Sequence, residues 1–218
     1  IDDQAFFPIT KEHPSYDNYA KFRNELFGEK DIEFVVFFNS RNIARKHPGD
    51  TILAYKWFCD KIGPEKAKKC ALVMKSEISS PHGTDLKAVR DALCDTSYVN
   101  VFFNQEKLTP EQMNMLYNVA DVTVLMSSNE GWGLALTESM MTGTMIIPNS
   151  SGGMQDQCRF EDENGNWIEF DDKFPSNNRK RYTKCGEWAL PVWPSNLSLQ
   201  GSPLTPYIYD DRCKPEDV

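Results

Sequence analysis

From residue 33 onward, short apolar runs alternate with amphipathic stretches, the spacing expected of strands alternating with helices. Residues 33–38 (EFVVFF) form a short apolar run, unbroken from Phe34 to Phe38 and rich in β-favouring types. A strand buried on both faces needs that pattern, because neither side of it meets water. Residues 71–74, 99–103, 121–125 and 144–147 repeat it. Between these runs, residues 50–62 predict a helix that Gly63-Pro64 stops, and residues 85–93 predict another with Thr84 as its cap. Thr109-Pro110-Glu111-Gln112 sets a capping hydroxyl, a first-turn proline and a Gln three residues after the cap. That is a capping box opening a helix to about Val119. A further helix is predicted over 132–141. Strands alternating with helices of this length predict an α/β fold, a Rossmann-like parallel sheet with helices on both faces. Such sheets bind ligands beyond the carboxyl ends of their strands.

The two ends read differently. Residues 1–32 form a linker with one predicted helix, 16–27, leading into the domain at 33–158. Residues 159–218 are rich in Pro, Asn, Asp, Gly and aromatics and show little periodicity. They predict an irregular extension packed on the same domain, with short strands at 166–170 and 207–209.

The chain has 218 residues and a net charge of −8, enough length for one sizeable core. The negative charge argues against nucleic acid or an anionic membrane as a non-specific partner. No apolar run could form a transmembrane segment, and no signal peptide is evident. Six cysteines lack C-x-x-C spacing. Cys59, Cys70 and Cys94 read as small buried apolar residues, and Cys158, Cys185 and Cys213 lack the spacing of metal ligands. The expectation is a reduced, cytoplasmic protein with no metal site.

The chemistry concentrates in residues 130–153, EGWGLALTESMMTGTMIIPNSSGG. Glu130 precedes a Gly-rich helix start, and Glu138 follows on the helix with seven residues between them. The amides of Gly131 and Gly133 can face an anion, since a helix N-terminus carries unpaired N–H groups and partial positive charge. The two carboxylates can accept hydrogen bonds from hydroxyls on either side. A ligand with an anionic centre and hydroxyls at both ends has the form of a nucleoside-diphosphate sugar. Arg41 and Lys46 follow the first strand and suit a diphosphate, Arg as a planar fork and Lys as a point charge. Arg45 reads as a solvated turn residue. Trp132 fits core packing as well as a site wall. A Glu138 on the edge of a largely buried helix would need a partner. His13, His47 and His82 read as surface histidines without a nucleophile at motif spacing. Asp171-Asp172 and Asp210-Asp211 read as loop charges rather than metal ligands.

In this order and spacing the chain resembles the C-terminal donor-binding domain of group 1 (family 4) retaining glycosyltransferases, one half of a GT-B fold. The resemblance is carried by the Arg41–Lys46 spacing, Phe102-Phe103-Asn104, the helix 112–119 and the strand and loop 120–128. The glutamate pair, Thr142-Gly143-Thr144 and Ser151-Gly152-Gly153 complete it, over about residues 32–153. It implies that Glu130 holds hydroxyls of the transferred sugar and that Gly131, Trp132, Gly133 and Leu134 line the sugar–diphosphate turn. Arg41 and Lys46 would neutralise the leaving diphosphate, and Glu138 would bind the ribose. Phe103, Asn104 and Leu108 would form the base pocket. No cofactor and no metal are implied, the positive charge coming from Arg41, Lys46 and the helix dipole. The family pattern also includes an acceptor-binding N-terminal domain. Residues 1–32 resemble only the segment that joins the two halves, so that partner domain is expected to be absent and transfer by this chain alone slow or nil. The alternatives are a non-catalytic nucleotide-binding or scaffold module, and an epimerase-like enzyme with Glu130 as its one candidate acid or base.

Overall fold

The computed structural model describes residues 4–95, 97–169, 182 and 184–218. Its sheet has strands β1 (Phe34–Asn39), β2 (Cys70–Lys75), β3 (Asn100–Asn104), β4 (Val122–Leu125) and β5 (Met145–Pro148). They lie in the order β3-β2-β1-β4-β5 with every neighbouring pair parallel. Helices α1 (Tyr16–Phe27), α2 (Pro48–Ile62), α3 (Pro64–Ala67), α4 (Leu86–Leu93), α5 (Pro110–Val119), α6 (Leu134–Met141) and α7 (Met154–Cys158) connect and cover it.

The unbroken apolar runs have a direct cause. Val35 and Phe37 join Ala71, Val73, Phe27, Leu116 and Tyr117 on one face, under α1 and α5. Val36 and Phe38 join Leu72, Met74, Ile52 and Tyr55 on the other, under α2. With both faces buried, Val35–Phe38 and Ala71–Met74 are shut off from water. This is the expected Rossmann-like fold. The strand order reverses direction between β1 and β4, where the loops leaving two neighbouring strands diverge and open a crevice.

The capping box of α5 forms as predicted, Gln112 N–H donating to Thr109 Oγ1 at 3.2 Å and Thr109 N–H to Gln112 Oε1 at 3.0 Å. The cap of α4 does not. Asp85, not Thr84, accepts from Ala88 N–H at 2.9 Å. Thr84 is engaged through its backbone instead, exchanging bonds of 2.9 and 2.6 Å with the Asn42 side chain. Helix α6 starts at Leu134 rather than Trp132. Gly133 turns the chain at φ +87°, and the Trp132 carbonyl accepts from Gln157 Nε2 at 2.5 Å.

The C-terminal extension is more regular than its composition suggests. Residues 188–192 run beside β5, with Ile146 N–H donating to Trp188 O and Leu190 N–H to Ile146 O, both at 2.8 Å. Val192 N–H donates to Pro148 O at 2.9 Å, so this segment satisfies the free edge of the sheet. An antiparallel hairpin follows, β6 (Asn196–Ser202) and β7 (Thr205–Arg212). The strand expected at 207–209 is the middle of β7; β6 was not expected. Asp210 and Asp211, expected in a loop, are buried strand residues. The strand expected at 166–170 does not form among its described residues, where Trp167 makes an isolated bridge to Glu161. Phe170 and Asp171-Asp172 lie outside the described residues. Among the described residues no helix is long and apolar enough to cross a membrane.

Candidate functional site

After β1 the chain is fixed by Asn42. Its backbone N–H donates to Glu77 Oε2 at 2.8 Å and its side-chain amide to Glu77 O at 3.0 Å, which ties the loops after β1 and β2 together. A short 3-10 turn, Ala44–Lys46, then leads into α2 through His47, whose φ of +50° redirects the backbone. His47 is not the surface histidine expected. Its side chain is largely enclosed, with Nδ1 3.4 Å from Asp50 Oδ2.

The loop after β4 packs directly on this turn. Ser128 N–H donates to Arg45 O at 2.8 Å, and the Arg45 guanidinium donates to Asn129 O at 2.6 Å. Arg45, expected to be solvated, therefore joins the two loops. The next residue, Glu130, is buried. Lys46 Nζ donates to Glu130 Oε1, and Arg45 Nη1 lies 3.2 Å from Oε2. Burial would raise the Glu130 carboxyl. The Lys46 hydrogen bond and the charges of Lys46 and Arg45 outweigh it and hold the group below the usual glutamate range. Burial likewise lowers the Lys46 ammonium, with its bond to Glu130 opposing.

Glu138 sits one turn beyond Leu134 on α6, as its sequence spacing requires. The partner it needs is Tyr117, fully buried on α5, whose hydroxyl donates to Glu138 Oε2 at 2.6 Å. Asn39, at the end of β1, donates to the same hydroxyl at 2.8 Å. Burial dominates and raises the Glu138 carboxyl, while the Tyr117 bond opposes it.

These groups face one cleft of about 920 Å³ at the carboxyl ends of the strands. It brings together Arg41, Lys46, Glu130, Gly131, Trp132, Gly133, Leu134 and Glu138. Trp132 is exposed, its indole N–H held by Thr137 Oγ1 at 2.8 Å, so it walls the site rather than filling the core. Phe103, Asn104 and Leu108 do not line the cleft. Phe103 packs on the α2 face with the Arg90 guanidinium 5.5 Å from its ring centre, and Leu108 packs with the α1–α5 cluster. Asn104 ends β3, where its carbonyl accepts from Ser76 N–H at 3.3 Å. Lys75, Ser76, Glu77 and Gln105 bound that side instead.

The order of these parts is that of a known family, and residues 27–174 match the family model for glycosyl transferases group 1. The chain belongs to the group 1 glycosyltransferases. A stretch of 46 residues is 39% identical to a D-inositol 3-phosphate glycosyltransferase from Corynebacterium urealyticum, over 21% of this chain and 11% of that protein. Solved structures similar in fold include the C-terminal domain of LpcC from Francisella tularensis, at 20% identity and a TM-score of 0.54. That match covers 78% of this chain and 80% of the other. A glycosyltransferase from Rickettsia africae follows at 17% identity and 0.57, over 90% of this chain and 42% of that one. HepE from Anabaena, solved with UDP and glucose, gives 17% and 0.53, over 72% and 38%. This group 1 chain thus spans a small part of the curated relative and about two fifths of the latter two structures.

Within this group 1 domain, Arg45, Asn39, Gln105 and Tyr117 are site residues that sequence reading missed. Tyr117 had one signal, an aromatic inside an apolar helix face whose hydroxyl must find an acceptor.

Proposed function

We propose that the cleft binds a nucleoside-diphosphate sugar and that the domain is the donor half of a retaining, metal-independent glycosyltransferase. One observation carries the reading. The cleft joins the α6 N-terminus, Lys46 and Arg41 to two anchored carboxylates, Glu130 on the loop before the helix and Glu138 on the helix itself. The backbone amides and cations suit the diphosphate, Glu130 the hydroxyls of the sugar, and Glu138 those of the ribose. Departure of the diphosphate leaves negative charge on its oxygens, and Lys46 and Arg41 are the cations placed to stabilise it.

Calorimetric titration with UDP, GDP and ADP tests this. One of the three is expected to saturate, and Glu138→Ala to weaken it roughly tenfold, the scale of a lost hydrogen bond to a charged group. Saturable binding that Glu138→Ala leaves unchanged would refute the ribose assignment; no binding of any nucleotide to folded protein would refute the donor reading.

The raised carboxyl of Glu138 adds a pH dependence. Acceptance of ribose hydroxyls needs the ionised form, so affinity is expected to fall with acid at a higher pH than for an ordinary glutamate. Tyr117→Phe removes the one bond that opposes burial and is expected to move this fall to still higher pH. Affinity measured from pH 4 to 8 for both proteins checks it; superimposable profiles would contradict it.

A further inference from the structure

The β6–β7 hairpin lies beyond the residues matched to the family, yet its second strand is built into the loop that carries Glu130. Asp211 is fully buried there. Its backbone N–H donates to Ser128 O at 3.0 Å, and its carbonyl accepts from Asn149 Nδ2 at 2.6 Å. Its carboxylate Oδ2 accepts from Ser151 Oγ at 2.7 Å. The Asn149 amide also donates to Ser127 O at 2.9 Å, and Asn129 Nδ2 donates to Tyr209 O at 3.2 Å. Every residue from Ser127 to Asn129 is therefore bonded, directly or through Asn149, to β7. Ser128 and Asn129 also carry the Arg45 contacts, and the turn leads directly to Glu130.

A hairpin that only covered surface would have no use for a buried carboxylate, whose desolvation is unfavourable unless fixed donors meet it. We propose that Asp211 is a positioning residue for Glu130, and that the hairpin sets the 127–130 turn so that Glu130 meets Lys46 and the sugar end of a donor. The sugar part rests on the donor-site reading above; the effect on the Lys46–Glu130 pair does not. Glu138 is held instead by Tyr117 and Asn39, on α5 and β1. The hairpin thus acts on the sugar end of the ligand and leaves the ribose end alone.

The test uses Asp211→Ala, Asp211→Asn and Ser151→Ala in the full chain, with thermal unfolding as the check on folding. Two readouts separate positioning from bulk stability. The first is the carboxyl titration of Glu130 followed by carbon NMR. The second is the ratio of affinities for the nucleotide-sugar over the nucleotide. Asp211→Ala is expected to raise the Glu130 titration, because the carboxylate loses register with Lys46 and Arg45. It should also cut the ratio roughly tenfold, the scale of one lost hydrogen bond to a charged group. Asp211→Asn keeps an acceptor oxygen for Ser151 and is expected to restore the ratio to within about twofold. Folded Asp211→Ala with an unchanged Glu130 titration would overturn the proposal. If that variant does not fold, Ser151→Ala carries the same two readouts. If the wild-type chain binds no nucleotide, the donor reading fails while the Glu130 titration still decides the role of Asp211.

Discussion

Lys46→Met is expected to weaken nucleoside-diphosphate binding about a hundredfold, because truncating one partner of a desolvated charge contact costs about 2–5 kcal/mol. The Lys46 side chain is only 12% exposed, so water and salt screen its charge little. Methionine keeps the unbranched stem, and packing changes little. Arg41 stands at the open rim of the same cleft. Arg41→Met is expected to cost about tenfold or less, since exposed ion pairs are worth about 1 kcal/mol or less. Its contribution should shrink further at high salt, whereas that of Lys46 should persist. Calorimetry at low and high ionic strength separates the two.

The Lys46–Glu130 pair adds a constraint on sign. Lys46 is already bonded to Glu130, so an incoming diphosphate competes with a buried carboxylate for the same ammonium. Glu130→Gln removes that competitor and is expected to tighten binding of the nucleotide alone, roughly fivefold by Coulomb estimates for a nearby partly screened charge. The same variant should lose the extra affinity contributed by a sugar. Lys46→Met should show the converse on the protein itself. Without the ammonium, the main opposition to burial is lost and the Glu130 carboxyl is expected to titrate higher than in the wild type. A folded Lys46→Met protein that binds nucleotide like the wild type would remove the diphosphate from this position.

The elements that were legible in the sequence are those whose cause is local. Residues 33–38 show a strand buried on both faces because that burial removes alternation, and Thr109–Gln112 show a helix start because both halves of the cap lie in one tetrapeptide. The Glu130–Glu138 spacing survives because one helical turn fixes Leu134 against Glu138 wherever the helix is packed. The rest depends on contacts across the chain. Arg45 looks like any turn cation until the β4 loop, 84 residues later, is laid on it. Asp210-Asp211 look like solvated loop charges until β7 is placed beneath Ser128. Strand β6 did carry a signal, since Asn196-Leu-Ser-Leu-Gln200 alternates strictly, but the run is short and polar at every other position, and Leu199 meets solvent while Leu197 is only partly covered. Phe103 and Leu108 were expected at the base because the family resemblance implies that role. Side-chain direction, which spacing does not set, sends both into the core clusters.

Gly153→Ala is expected to lower the stability by about 1–3 kcal/mol, the range for overpacking a close-fitted site. For a chain of this size that is a fall in Tm of about 2–12 °C. The backbone of Gly153 has φ −66°, which any residue adopts, so the effect is purely steric. A Cβ there would lie 2.1 Å from Gly131 O and 3.0 Å from Trp132 Cα. Both are backbone atoms, and no rotamer change relieves them. The strand of chain they belong to is held in place by the bond from Gly153 N–H to Glu130 O at 2.9 Å. Relief therefore requires the 130–132 backbone to move, which takes with it Glu130 and the amides that face the ligand. A displacement near 1 Å in such groups costs up to about a hundredfold in a positioned site. Nucleotide affinity is thus expected to fall at least tenfold. Gly131→Ala is the contrasting variant. Its Cβ meets no protein atom within 4 Å, so Tm should hold, yet the methyl would project where a ligand approaches the cleft. Loss of binding without loss of stability at Gly131, and loss of both at Gly153, is the pattern expected if Gly131 faces the diphosphate and Gly153 supports it from behind. Wild-type Tm and affinity in Gly153→Ala would mean that the 130–132 loop adapts freely, and a loop that adapts freely could not hold Glu130 in register with Lys46.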